Sequence, residues 1–331
     1  MEVKLIRNEN SLVSIIIPTY NSKSFIEEAV KSALEQTYNK VEVIIVDDGS
    51  TDGTEELFPY FEKLGVKCYT QTNKGAAAAR NLGLNNSKGD YIQYLDSDDI
   101  LHKDKLKVQL EIMQAENSDL SFCFWEQFTD NVLETKPFVF KHIDFSDIND
   151  GKDIMRSYGM KGTSGTIHSM LIRRDVIEKV GQWNESLTNN DDGEYFTRVY
   201  LNSKKVSVVK ETLVYHRVGK TDTLSRVNTD RKAESALKSW DIIHQLILNA
   251  NDETLLSYPK KGYFVNYRMT MGSNIKYAKI FAKRFDDIKS PFFLSSWKHY
   301  WIVKWFGLYK AHYIFYTLIK LRLIKTNYYP I

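Results

Sequence analysis

Three carboxylates, Asp96, Asp98 and Asp99, crowd four positions at the end of the apolar run GDYIQYLDSDD. Acids so close repel one another, and a hard divalent cation such as Mg²⁺ or Mn²⁺ is the simplest relief. An ion of that kind is usually held by one or two carboxylates and keeps positions open for phosphate oxygens, so the run points to a diphosphate-bearing ligand. A second acidic turn, IIVDDGSTDGT, gathers Asp47, Asp48, Ser50 and Asp52 around Gly49 and Gly53. Alone, it fits a helix-capping loop as well as a binding loop. A third, NNDDGEYFTR, sets Asp191 and Asp192 ahead of a helix, where acids also suit the positive end of the helix dipole.

Between these acids lies QTNKGAAAARN. Gly75 followed by four alanines lets backbone approach a ligand or a neighbouring strand closely, and Arg80 offers a planar set of donors to ribose or phosphate oxygens. A helix packed tightly on a sheet, with Arg80 in a structural salt bridge, accounts for the same residues.

The elements that must position these side chains alternate short β-rich apolar runs with segments of helical period from Val13 to about Trp125, the pattern of a mostly parallel sheet flanked by helices. SIIIPTYN, VEVIIVDDGS, VKCYT and DYIQYLDSDD read as four strands. SFIEEAVKSALEQ places Phe25, Ile26, Ala29, Val30, Ala33 and Leu34 on one helical face, and Pro59 kinks or breaks the helix after the second strand. After Lys103 a helix leads to the strand LSFCFWEQF and then mixed β character through Lys141. TSGTIHSML through VYHRV reads as strand, helix, loop, helix and strand, extending the domain to about residue 220. Strands that end in Asp, Asn and Gly suit a parallel sheet binding ligands at its C-terminal edge. The expected division is a catalytic α/β domain over 1–225 and a helical accessory region over 226–331.

With 331 residues the chain can bury a full core, and 43% hydrophobic with 26% charged residues excludes disorder and collagen-like composition. A net charge of +3 is too small to argue for nucleic acid, so no nucleic-acid partner is expected. Cys68 and Cys123 stand in separate apolar runs without metal-ligand spacing and read as reduced core thiols. The polar opening MEVKLIRNENSLVS carries no apolar export segment, which sets the expectation of a cytoplasmic location.

Taken in order, SIIIPTYNS, VIIVDDGSTDGT, QTNKGAAAARNLGL, GDYIQYLDSDD and NNDDGEYFTR resemble the family 2 glycosyltransferases of bacterial surface-polysaccharide type, over about residues 12 to 220. The resemblance implies a GT-A fold, a Rossmann-like central sheet, and transfer of a hexosyl or N-acetylhexosaminyl group from a nucleoside diphosphate sugar, UDP above all, to an acceptor hydroxyl with inversion. It implies nucleoside contacts from Pro18, Thr19, Tyr20 and Asn21, with Tyr20 stacking on the base and Asp48 on the base edge. It assigns the donor also to Asn73, Gly75 and Arg80, and the DxD pattern to Asp96 and Asp98: Asp98 on Mn²⁺ or Mg²⁺, Asp96 shared between metal and, with Ser97, ribose. Asp192 becomes the base, Asp191 its orienting neighbour, and Arg198 the usual downstream arginine. The sequence departs from the family in carrying Asp-Asp where Glu-Asp is commonest. It also has Gly219 where a later histidine often lies, so His216 reads as structural or solvent-facing rather than as a metal ligand; His168 reads as a satisfied strand histidine rather than one lining the acceptor cleft.

Beyond Asp287 there is no acidic residue, while Lys298, Lys304, Lys310, Lys320, Arg322 and Lys325 stand among tryptophans, tyrosines and phenylalanines. Lysines interrupt the apolar run, which argues against a spanning helix and suits an interfacial one over 291–325, beside a lipid-linked glycan acceptor; a dimer interface or plain helical core would use the same residues. Among rival classes, a nucleotidyltransferase should show a glycine-rich first loop that PTYNSKS lacks, and an oxidoreductase fails on the absence of GxGxxG. A non-catalytic module binding nucleotide sugar or glycan is the remaining alternative.

Overall fold

The computed structural model describes residues 11–129, 136–137, 147–161, 166–219, 227, 229–290 and 297–320. It divides into two compact units, Met1–Ile154 with Ser164–Thr221, and Met155–Thr163 with Asp222–Ile331.

The first unit is built on one nine-stranded sheet. Strand β1 (Val13–Thr19) is buried throughout, as its unbroken VSIIIPT requires, because helices cover both faces. Helix α1 (Ile26–Leu34) lays Ile26, Ala29, Val30 and Ala33 on one side, where they pack with Ile15, Ile17 and, from β2 (Val41–Asp47), Val43 and Ile45. Leu34, expected on that face, is exposed. A 3-10 turn (Thr54–Leu57) feeds α2 (Phe58–Lys63), so Pro59 stands in the first turn, where a missing N–H costs nothing, and does not break a helix. After β3 (Lys67–Thr70), helix α3 (Ala76–Asn85) covers the opposite face, Ala79 packing on Ile44 and Val46. Gly83 marks how closely it lies: a Cβ there would stand 2.5 Å from Ile16 Cγ2.

β4 (Tyr91–Tyr94), β5 (Ile100–Leu101), α4 (Lys105–Glu116), β6 (Leu120–Phe128), β7 (Lys136–Pro137) and α5 (Gly151–Lys161) follow. Next come β8 (Met170–Arg173), α6 (Arg174–Val180), α7 (Asp191–Asn202) and β9 (Val206–Arg217). The sheet order is β3-β2-β1-β4-β8-β6-β9-β5, with β7 on β6. The β1–β2, β1–β4, β2–β3 and β6–β9 pairs are parallel, while β8 enters antiparallel to both β4 and β6. The parallel half therefore ends at β4, whose exit carries the Asp96–Asp99 run. His168 lies in a short 3-10 turn before β8, one step outside the expected strand. Most of the expected β stretch toward Lys141 lies outside the described residues.

In the second unit, α8 (Asp230–Asn249), α9 (Ser257–Thr270) and α10 (Ile275–Asp287) pack together. Gly262 lies against the Trp240 ring, where a Cβ would come within 2.3 Å. Arg284 clamps Asp241 through two bonds of 2.8 and 3.0 Å, and the Tyr263 hydroxyl donates to the same carboxylate. Helices α11 (Trp297–Phe306) and α12 (Leu308–Lys320) follow, the Leu308 amide donating to Asp286, an acid at a helix N-terminus. No helix among the described residues is long and apolar enough to cross a membrane.

Candidate active site

Where β1, β2 and β4 end, their exit loops are tied together by short polar bonds. Asp47 accepts from the Ser50 amide and hydroxyl, and Ser50 Oγ in turn accepts the Asn21 amide at 2.8 Å. Asn21 takes φ of 49°, which asparagine tolerates, and its side-chain oxygen receives the Thr51 amide. Pro18 and Thr19 are buried at the strand end, while Tyr20 is 49% exposed, a ring face available for stacking.

Asp48 has a role the sequence reading did not assign. It is buried, and its carboxylate accepts the amides of Lys74 and Gly75, each at 2.7 Å, and Gln71 Nε2 at 2.8 Å. It therefore shapes the Gln71–Gly75 loop. Gly49, at φ +75°, makes room: a Cβ there would lie 3.1 Å from the Asn73 amide. Asn73 and Gly75 thus sit on a loop that Asp48 holds against the end of β2.

At the end of β4 the acids are handled one by one. Asp96 accepts Arg80 Nη2 at 3.0 Å. Ser97 is buried, its hydroxyl donating to Ser22 and so joining this loop to the β1 exit. Asp98 is half-buried, and its main-chain carbonyl accepts Arg217 Nε at 3.0 Å. Asp99 is fully buried and accepts the Arg217 amide at 2.7 Å.

Arg80 joins the two acidic groups. From α3 it reaches Asp96 with Nη2 and, at 2.9 Å, Asp191 with Nη1, its guanidinium 4.5 Å over the Trp183 ring. Arg80 makes the salt bridge, one of the two roles the sequence offered it. Burial opposes the Arg80 charge, but Asp96 and Asp191 outweigh it and raise its pKa. Next to Arg80, the Asn81 side chain donates to the Trp183 carbonyl and accepts its amide. Trp183 stacks on Tyr195 of α7 at 4.0 Å, which aligns the N-terminus of α7 with α3.

Asp191 and Asp192 open α7, behind Asn190 in the left-handed conformation. The Asp192 residue is exposed to water, yet protein atoms surround its carboxyl. That crowding, with the Asp191 charge second and Arg80 opposing, pushes its pKa up to about 6. A carboxylate so tuned is a stronger base than an ordinary aspartate while still ionised at neutral pH. Arg198 pairs with Glu194 and donates to the Val180 and Gln182 carbonyls, holding the turn after α6.

The structure thus brings Asp96 and Asp191 onto one arginine, with Asp98 and Asp192 as their sequence neighbours. Sequence reasoning missed Arg217, which also donates to Glu28 and the Thr129 carbonyl and lies over Phe25 and Phe128. Its signal was weak, a lone arginine at a strand end. Sequence reasoning read His168 as a satisfied strand histidine, and the structure corrects this: at 1% exposure, neither ring nitrogen has a hydrogen-bond partner, although Nδ1 lies 3.1 Å from Asp99 Oδ2. Burial lowers the His168 pKa to about 4, more than the Asp99 charge restores. For His216 burial opposes charge, but the bond to Asp99 and the charges of Asp99, Asp96 and Asp98 prevail and raise the pKa.

The family model described as Glycosyl transferase family 2 matches residues 14–181. A glycosyltransferase of Haemophilus influenzae described as uncharacterized is 30% identical over 241 residues, covering 70% of this chain and 87% of that one. Bacillus subtilis TuaG, a glycosyltransferase provisionally named for teichuronic acid biosynthesis, is 45% identical over 118 residues, 35% of this chain and 47% of its own. The chain spans 24% to 47% of the length of this and three further curated relatives. Among solved structures, residues 1–349 of S. aureus TarS in complex with UDP-GlcNAc superpose with a TM-score of 0.66 at 20% identity, covering 84% of this chain and 82% of that one.

Proposed function

The chain belongs to glycosyl transferase family 2 and has its GT-A fold, and from that premise we propose that it transfers a sugar from a UDP-sugar to a hydroxyl of a growing glycan with inversion at the anomeric carbon. The observation that carries the reading is the Asp96–Arg80–Asp191 bridge, which fixes the loop expected to meet the diphosphate against the N-terminus of α7, where the base stands. Tyr20 stacks on the base, and Asn21, Asn73, Gly75 and Ser97 line the nucleoside and ribose side; TarS was solved with UDP-GlcNAc, which favours a uridine donor.

Asp96 and Asp98 present an all-oxygen donor set on one short loop, the chemistry that suits Mg²⁺ or Mn²⁺. When bound there, the ion neutralises charge developing on the leaving diphosphate. Asp192 accepts the proton of the acceptor hydroxyl at its carboxylate oxygen, and the freed oxygen attacks the anomeric carbon from the face opposite the diphosphate. Asp191, fixed by Arg80, keeps a negative charge beside Asp192 and so holds its basicity high.

The second unit is read as an accessory region. Lys304, Trp305, Phe306 and Lys310 are exposed on α11 and α12, with Trp305 at 76%, a pairing of aromatic and basic groups that suits the anionic face of a membrane carrying a lipid-linked acceptor. Liposomes containing phosphatidylglycerol should retain the protein, and Trp305→Ser with Lys304→Glu should release it; equal retention removes this contact.

The test of the catalytic reading is nucleoside diphosphate release from a panel of nucleotide sugars with Mn²⁺ or Mg²⁺ and varied acceptors. One donor should be consumed only with metal, and folded Asp98→Ala and Asp192→Asn should both lose turnover. Binding without turnover under every acceptor would instead support a nucleotide-sugar-binding module.

A further inference from the structure

Three segments far apart in sequence converge behind the β4 exit: Asp99, His168 in the turn before β8, and His216 on β9. One ligand atom from each lies within 4.8 Å of the other two. His168 Nδ1 and His216 Nδ1 both stand 3.1 Å from Asp99 Oδ2, and the two imidazoles stack at 5.5 Å. Around a tetrahedral ion with bonds of about 2.0–2.1 Å, neighbouring ligand atoms are separated by about 3.3 Å. The histidine–carboxylate spacings are those of such an edge.

The residues are held from behind, as ligating groups need to be. Asp99 Oδ1 accepts the Arg217 amide and lies 3.1 Å from His216 Nδ1, while Oδ2 lies 3.1 Å from both histidines. Gln93 Nε2 donates to the His168 carbonyl and Gln109 Nε2 to the Ser169 carbonyl, each at 3.0 Å. The fully buried Lys105 ammonium donates to both glutamine oxygens and fixes their orientation. His216 meets the Trp125 ring edge-on. His168, 1% exposed, has both ring nitrogens without a hydrogen-bond partner, a cost of burial that an ion on Nδ1 would relieve in part. The His216 side chain is 34% exposed and supplies an entry path.

We propose that Asp99, His168 and His216 form a binding site for a borderline transition metal of the Zn²⁺ class, separate from the hard-cation pair Asp96 and Asp98. Two imidazoles and one carboxylate favour Zn²⁺ or Co²⁺ over Mg²⁺, and three protein ligands leave a position for water. An ion there joins the β4 exit, the turn before β8 and the end of β9, so its occupancy stiffens the loop that carries Asp98. The proposal does not depend on sugar transfer.

Chelator-stripped, untagged full-length protein titrated with Co²⁺ should develop visible d–d absorption saturating at one equivalent, bleached by Zn²⁺ and unaffected by excess Mg²⁺. Asp98→Asn should keep the bands, while His168→Gln and His216→Gln should each weaken Co²⁺ binding at least tenfold. His216 is partly exposed, so His216→Gln decides the matter should His168→Gln fail to fold. Absent bands, or bands that persist unchanged in folded His216→Gln, overturn the site. Loss of the bands in Asp98→Asn places the ion at the donor loop and overturns its separateness.

Discussion

Replacing Arg80 with methionine keeps the aliphatic stem over Trp183 and removes the charge that joins Asp96 and Asp191. Both bonds are charge-assisted, each worth about 1.5–3 kcal/mol net, and breaking a buried pair by deleting one partner costs about 3–5 kcal/mol. The Asp96 side chain is 34% exposed and water re-solvates it, so the lower end applies, a loss of about 3 kcal/mol in unfolding free energy. The second consequence is chemical. Arg80, ahead of the Gly193 amide, lowers the Asp192 pKa against burial and Asp191, so its removal raises that pKa further above about 6. A base must be unprotonated, so the acid limb of the rate profile should move to higher pH. Urea denaturation checks the first effect, and initial rates of nucleoside diphosphate release from pH 5 to 9 check the second. Arg80→Lys should keep part of the charge effect and little of the two-acid bridge, since an ammonium lacks the planar fork. An acid limb that stays in place while stability falls would refute the link between Arg80 and the base.

For Asp192→Asn, kcat should fall by about 10² to 10⁴, and the acid limb near pH 6 should disappear, in the pH–rate profile of folded protein. Chelation with EDTA should abolish turnover, with Mn²⁺ or Mg²⁺ restoring it in wild type and far less in Asp98→Ala, measured by the same release assay. Gly83→Ala puts a Cβ 2.5 Å from Ile16 Cγ2 in the α3 and β1 packing, and should cost about 1–3 kcal/mol by denaturant midpoint; an unchanged midpoint would mean that α3 shifts freely on the sheet.

The parts of the fold legible in the sequence are those where burial writes itself as composition. β1, β2 and β6 are apolar runs because both sheet faces are covered, and Ile26, Ala29, Val30 and Ala33 repeat at helical period because only one face of α1 is. The antiparallel entry of β8 was not legible, since the four residues MLIR carry no mark of direction. Pro59 was read as a breaker because its register relative to the helix start was unknown; two residues earlier or later in the pattern would have changed its meaning. In the site, Asp96, Asp98, Asp191 and Asp192 stood out through local clustering. Arg217 and His168 did not, because each gains its partner from a segment more than 60 residues away, Asp99 in both cases.

That dependence on distant partners explains how one short loop carries three acids. Asp99 is withdrawn into the sheet and met by the Arg217 amide and the His216 imidazole, so its charge is answered from behind. Asp96 is answered from the side by Arg80, which spends its other arm on Asp191. Asp98 is held through its main-chain carbonyl by Arg217 Nε, and its side chain is half-buried. The answers come from two elements, β9 and α3, so the loop is braced from both before any ligand arrives. For the proposed donor, preorganised charge of this kind would need no rearrangement as charge develops on the diphosphate, which is the condition under which electrostatic stabilisation is worth most. It follows that Arg217→Lys, which keeps the positive charge but cannot reach Asp98, Thr129 and Glu28 at once, should weaken Mn²⁺ activation more than donor binding.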